Sequence, residues 1–228
     1  MFFAPFLVLY AILFLGLLTF VFVVVQIGII HYAFEVIGLP HDLAFAALLA
    51  SLIGSYINIP ITRIEGGAPP PLEVVGRFGV RYRVPARYAT GETTLAINVG
   101  GAIVPVLISL YVLAHQPAAL IPALTGIVVV AMVVHRFARP VPGLGIATPM
   151  FIPPLIAATA AILLTAFFAT GARPDAVAYV CGVMGTLIGA DLLNLRKLRD
   201  LGAPVASIGG AGTFDGVFLT GIVAVLLA

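Results

Sequence analysis

The chain has 228 residues, of which 62% are hydrophobic and only 9% charged, with a mean hydropathy of +1.20 and a formal net charge of +2. Such values exclude an ordinary water-soluble domain and make nucleic acid an unsuitable partner. A lone cysteine, Cys181, in an apolar segment excludes an intrachain disulfide framework and a cysteine-based zinc site, and reads as a small buried hydrophobe.

The reading that remains is an all-α, polytopic membrane helical bundle, one membrane domain over residues 1–228 whose first partner is the lipid bilayer. The opening apolar stretch lacks a basic n-region and runs longer than a signal-peptide core, so it is expected to be an uncleaved, tilted first span. At about 20 apolar residues per crossing, seven transmembrane helices are expected: 3–30, 43–61, 94–114, 120–135, 147–170, 176–195 and 205–228. Pro60, Pro105, Pro122, Pro153 and Pro154 fall inside these spans and are expected to kink them.

The basic residues set an orientation. Arg63, Arg77, Arg81, Arg83 and Arg87 follow span two, Arg136 and Arg139 follow span four, and Arg196, Lys197 and Arg199 follow span six. With seven spans all three loops share a side, which the positive-inside rule assigns to the cytoplasm, together with the N-terminus; the C-terminus is then outside the cell membrane. The loop 62–92 is the one sizeable soluble piece. Its PLEVVGRFGVRYRVP run alternates at period two around Gly76 and Gly79, which predicts a small cytoplasmic β-hairpin on a basic loop.

A weak internal repeat runs through the chain. SLIGSYINI at 51–59 resembles TLIGADLLNL at 186–195, each is followed by a basic turn, and INVGGAIVP at 97–105 then corresponds to FDGVFLTG at 214–221. Such hairpins would be related in parallel, about an axis along the membrane normal.

Two acids interrupt the second copy, Asp191 in span six and Asp215 in span seven. A carboxylate at the centre of a membrane helix costs roughly 2.5–3.5 kcal/mol on insertion scales, so the pair is the strongest functional lead. Asp191 lies about 7 Å inside Arg196 at a rise of 1.5 Å per residue, and Asn194 almost at the rim. Asp215 follows Gly209, Gly210 and Gly212, a run that disfavours regular helix. Asn58 and Asn98 fall at a similar level, giving a polar cluster near the cytoplasmic face. Three chemistries suit it: a proton-sharing carboxylate pair that activates water, a proton or cation carrier, or a structural role in which Asp215 caps a helix and Asp191 pairs with Arg196 or Arg199.

The blocks NIPI (58–61), NVGGAIVP (98–105), GADLLNL (189–195) and GTFDG (212–216) resemble those of an uncharacterised family of prokaryotic integral-membrane proteins, a domain of unknown function. More distantly, the arrangement is similar to the Gly-x-Gly-Asp intramembrane aspartyl proteases: presenilin, signal peptide peptidase and the type IV prepilin peptidases. That resemblance implies Asp191 and Asp215 as catalytic aspartates and Gly212 as the first motif glycine. Phe214 stands where those proteases have glycine, Ala190 where presenilins have tyrosine, and Pro122-Ala123-Leu124 lies in span four instead of a later one. The partners implied are a membrane-protein substrate or, for a carrier, a small solute. No cofactor and no metal site is expected, because His31, His41, His115 and His135 stand singly at span ends and Glu35 and Asp42 read as solvated charges.

Overall fold

The computed structural model describes residues 5–65, 75–77, 80–82, 92–141, 145–201, 205–210 and 216–228. Seven α-helices occur among them, in the places of the seven apolar segments: α1 (Pro5–Val36), α2 (His41–Gly54), α3 (Val104–His115), α4 (Leu120–Phe137), α5 (Ile152–Phe168), α6 (Pro174–Thr186) and α7 (Gly216–Leu227). Three continuous helical stretches, Ile12–Val36, Pro117–Phe137 and Pro174–Lys197, are long and apolar enough to cross a membrane, and the other four helices are shorter.

The proline expectation is corrected in part. Pro153 and Pro154 sit in the first turn of α5, where the amide that proline lacks would have no helical partner anyway. Pro105 follows the wide turn Val99–Ile103 at the start of α3, and Pro122 follows the short turn Pro117–Ala119 at the start of α4. Pro60 is not in a helix at all; it lies in a strand, at a register shift between Pro60 and Thr62, where a missing donor is tolerated.

The second correction concerns β-structure. The expected hairpin is present as β2 (Val75–Arg77) paired antiparallel with β3 (Val80–Tyr82), Gly76 opposite Arg81. A larger sheet joins β1 (Asn58–Glu65), β4 (Glu92–Asn98) and β7 (Val205–Ile208) in the order β1-β4-β7, so stretches assigned to the ends of spans two, three and seven are extended. Their residues account for it: ITRI, TTLAI and VAS-I are β-branched and alternate, unlike the Leu- and Ala-rich helices. Strands β1 and β4 are antiparallel with Asn58 opposite Asn98, and β4 and β7 are parallel with Ala96 opposite Ser207. A short antiparallel pair, β5 (Arg139–Val141) and β6 (Gly145–Ala147), links α4 to α5.

Helix α6 is the axis of the molecule: all its residues from Ala176 to Val183 are buried, and α3, α4, α5 and α7 pack around it. In lipid there is no hydrophobic gain in bringing helices together, so close approach of backbones must do the work, and that requires small residues at the seams. They are present. A Cβ on Gly185 would stand 2.6 Å from Val130 Cβ, one on Gly189 2.5 Å from the Ala131 carbonyl oxygen, and one on Gly221 2.7 Å from Val183 Cγ2. Cys181 packs against Gly126 of α4, and its thiol donates to the Ala157 carbonyl of α5 at 3.6 Å. The Gly185–Gly189 spacing thus serves the α4–α6 seam.

Helix α1 is built differently. From Ile12 to Ile29 its side chains are exposed, and among its described side chains those of the last turns, Ile30, Ala33 and Phe34, reach the core, followed by Ile37 just past its end. There Phe34 meets Tyr179 and Phe218 edge-on, with ring centroids 6.2 and 6.1 Å apart. Gly185→Leu is therefore expected to lower stability by about 1–3 kcal/mol through overpacking, with partial recovery on adding Val130→Ala, whereas Gly28→Leu, which meets nothing within 4 Å, leaves it unchanged. Thermal denaturation in detergent measures all three.

Candidate functional site

The site forms where β4 and the turn ahead of α3 meet β7 and the turn after α6. Strands β4 and β7 run side by side in the same direction, and each ends in a glycine pair: Gly100-Gly101 after β4 and Gly209-Gly210 after β7. Gly209 and Gly210 have φ of +80° and +84°, a region glycine enters without strain. The backbones then touch, because a Cβ on Gly101 would lie 1.9 Å from the Gly209 carbonyl oxygen and one on Gly100 2.0 Å from that of Ser51. No side chain fits at either place.

The helical turns beside this contact are widened into π geometry, Val99–Ile103 ahead of α3 and Leu187–Asp191 after α6. Wide turns of this kind leave backbone groups to be satisfied by side chains. Asn98 does so for the first: its Oδ1 accepts from the Gly101 amide at 2.7 Å, and its Nδ2 donates to the Ser55 carbonyl at 2.7 Å and to Asn58 Oδ1 at 3.0 Å. Asn58 Oδ1 also accepts from the Ser207 hydroxyl at 2.6 Å. Asn194 serves the second turn, donating to the Gly189 and Ala190 carbonyls at 3.1 and 2.9 Å. It is fully buried, and its Oδ1 has no partner among the described residues.

Asp191 ends the second wide turn. It is half-buried, and its Oδ2 accepts from the Gly209 amide at 2.7 Å, a bond that fixes the end of β7 to the turn after α6. A closed circuit results: Asp191 holds Gly209, Gly209 lies on Gly101, Gly101 donates to Asn98, Asn98 to Asn58, and Ser207 returns the path to β7. Of the residues expected from the sequence, Asn58, Asn98 and Asp191 enter this circuit. Asn194 supports the turn that carries Asp191 from another side. Asp215 and Gly212 lie outside the described residues.

Sequence reasoning missed Ser207 and the Gly209 amide, which depend on β7 lying beside β4, and the Gly100–Ser51 approach, which depends on α2 packing against the turn Val99–Ile103. The signal that could have found them is VASIGG, a β-branched run ending in a glycine pair as TTLAINVGG does. It also kept His31, Glu35 and His41 apart, whereas their ligand atoms lie within 4.8 Å of one another.

Fold and site together define a mostly helical protein with membrane-type helices, in which two glycine-jointed hairpins are clasped through a small sheet. The chain belongs to a family described as a protein of unknown function (DUF1614), whose model matches residues 52–227. That agrees with the expectation of an uncharacterised family, and the four sequence blocks all fall inside the matched region. No curated protein and no solved structure matches the chain.

Asn98 is the keystone of the circuit. Its replacement by Ala would strand the Gly101 amide and the Ser55 carbonyl, at about 1–3 kcal/mol for each buried group left unpaired. Asn98→Asp would keep the acceptor and lose both donated bonds. Both variants are expected to unfold at lower temperature and to exchange the amides of residues 97–103 faster, as hydrogen-exchange mass spectrometry would record.

Proposed function

We propose that the chain is a membrane-embedded hydrolase in which Asp191 and Asp215 form an acid pair that cleaves a peptide bond of a membrane-protein substrate. The carrying observation is the bond from the Gly209 amide to Asp191. It ties the first acid to the start of the link that delivers the second, for only five residues separate Gly209 from Asp215 and α7 begins at Gly216. The start of α7 is also near that end of α6: a Cβ on Gly216 would stand 4.0 Å from the Thr148 hydroxyl oxygen, and β6, just ahead of Thr148, packs against Leu187–Asp191. In this reading one carboxylate takes a proton from water as the water oxygen adds to the substrate carbonyl, and the other, protonated, gives its proton to the carbonyl oxygen. Collapse of the tetrahedral adduct then passes a proton to the leaving amine. The same reading keeps seven spans and places the pair near the cytoplasmic face, N-terminus inside and C-terminus outside.

A second reading, an ion-coupled carrier, is favoured by the parallel neighbours β4 and β7, each leading through a glycine pair toward a helix. Parallel repeats with interrupted helices at the substrate level are how many carriers are built.

The two readings separate in one experiment. A peptidomimetic photoprobe with a hydroxyl in place of the scissile carbonyl mimics the adduct, and such analogues bind about 10²-fold or more tighter than substrates. The hydrolase reading expects labelling of the wild type in detergent, and its loss in Asp191→Asn and in Asp215→Asn at unchanged melting temperature. Labelling that survives both changes overturns it; proton or cation flux in liposomes without labelling favours the carrier.

A further inference from the structure

We propose that His31, Glu35 and His41 form a binding site for one divalent transition-metal ion of the zinc type, at the joint between α1 and α2. His31 and Glu35 are four residues apart in the last turns of α1 and so share a face of that helix; His41 opens α2. Their ligand atoms converge: His31 Nε2 lies 3.0 Å from His41 Nδ1, His41 Nδ1 2.7 Å from Glu35 Oε1, and His31 Nε2 3.3 Å from Glu35 Oε1. An ion capping this triangle roughly 1 Å above its plane would stand about 2 Å from all three atoms, the distance zinc takes to imidazole nitrogen and carboxylate oxygen. Side chains therefore have only tenths of an ångström to move.

The joint holds this arrangement without help from the ion. Gly38, at φ +97°, donates to the Glu35 carbonyl at 2.9 Å, and Leu39 donates to that of Phe34 at 3.1 Å, a glycine stop that closes α1. Pro40 then leads directly into α2. Gln116 Nε2 donates to the Ile37 carbonyl at 3.0 Å and Arg173 to that of Val36 at 2.5 Å, so the end of α1 is fixed from two further elements. The rings of His31 and His41 stand perpendicular, at a centroid distance of 4.5 Å, and Phe45 packs edge-on against His31.

The donor set selects the ion. Two imidazoles and one carboxylate suit zinc, cobalt, nickel or copper, whereas magnesium and calcium want oxygens alone. Three protein ligands leave a fourth position for an exchangeable ligand, and the side chains of His41 and Glu35 are 76% and 40% exposed. The outer support is thin, since the buried Nδ1 of His31 has no partner, and an unsupported imidazole weakens binding about 10- to 100-fold. All three residues precede the family match at 52–227.

The test uses the full-length protein in detergent, purified through a tag free of histidine and stripped with chelator. Titration with zinc or cobalt is expected to show one saturable equivalent per chain, a melting temperature that rises with zinc, and, for cobalt, the visible absorption of a four-coordinate N/O site. Magnesium and calcium should produce neither. His41→Ala, at an exposed position, and Glu35→Gln, which keeps the shape of the side chain, should each weaken zinc at least tenfold. His115→Ala should leave binding intact. Absence of a saturable equivalent in the wild type, or undiminished affinity in His41→Ala and Glu35→Gln, overturns the proposal and leaves a hydrogen-bonded triad.

Discussion

The contact between the Gly101 and Gly209 backbones is the constraint on which the rest of the clasp depends. Extended strands and widened turns set among apolar helices bring peptide groups to places where water cannot satisfy them, and every such group must find a protein partner. Bringing two chain segments together at backbone distance lets each supply the other's partners. A methyl group at either glycine would push β7 off α3, and with it the amide that Asp191 holds and the hydroxyl that Asn58 accepts from. The polar residues here thus answer to geometry first, whatever chemistry is later performed beside them.

The two asparagines show the same logic at opposite ends of a helix. Asn98 accepts from an amide left over at the start of a widened turn, and Asn194 donates to carbonyls left over at the close of one. An amide side chain, with both donor and acceptor, is the residue that can do either without carrying charge into an apolar setting. Asp191 is then the one acidic side chain among the described members of the circuit, half-buried and accepting from a backbone amide. That contrast is why the functional reading rests on it and not on the asparagines.

Much of the fold was legible in the sequence for one reason: long apolar runs separated by charge have few ways to be arranged. The seven helices fall where the runs fall, and the alternation around Gly76 predicted the β2–β3 pair. The strands β1, β4 and β7 were not legible, because apolar residues such as Ile59, Ile61, Leu95 and Ile97 run on into the adjoining helices, so hydropathy cannot divide Ile61 from Leu52 or Ile97 from Ile103. Only β-branching and the glycine pairs mark the change, and both are weak signals inside a hydrophobic chain. At the site, Asp191, Asn58 and Asn98 were found because polar atoms in apolar runs stand out. Ser207 was not, since a serine beside glycines is unremarkable until a neighbouring strand is known. The trio of His31, Glu35 and His41 needed the turn itself, because a six-residue gap across a helix stop has no spacing that reads as a ligand set.

Helix α1 carries one further implication. A rod of 32 residues is about 48 Å long, against about 30 Å for the hydrocarbon layer of a bilayer, so on crossing it must lean or protrude. Its outer surface is bare from Ile12 to Ile29, and among the described side chains its hold on the body of the protein lies in the final turns. Thickness and lateral pressure of the surrounding lipid therefore act on a long lever anchored near its C-terminal end, and whatever torque they exert is delivered to the body at Phe34 and the turn behind it.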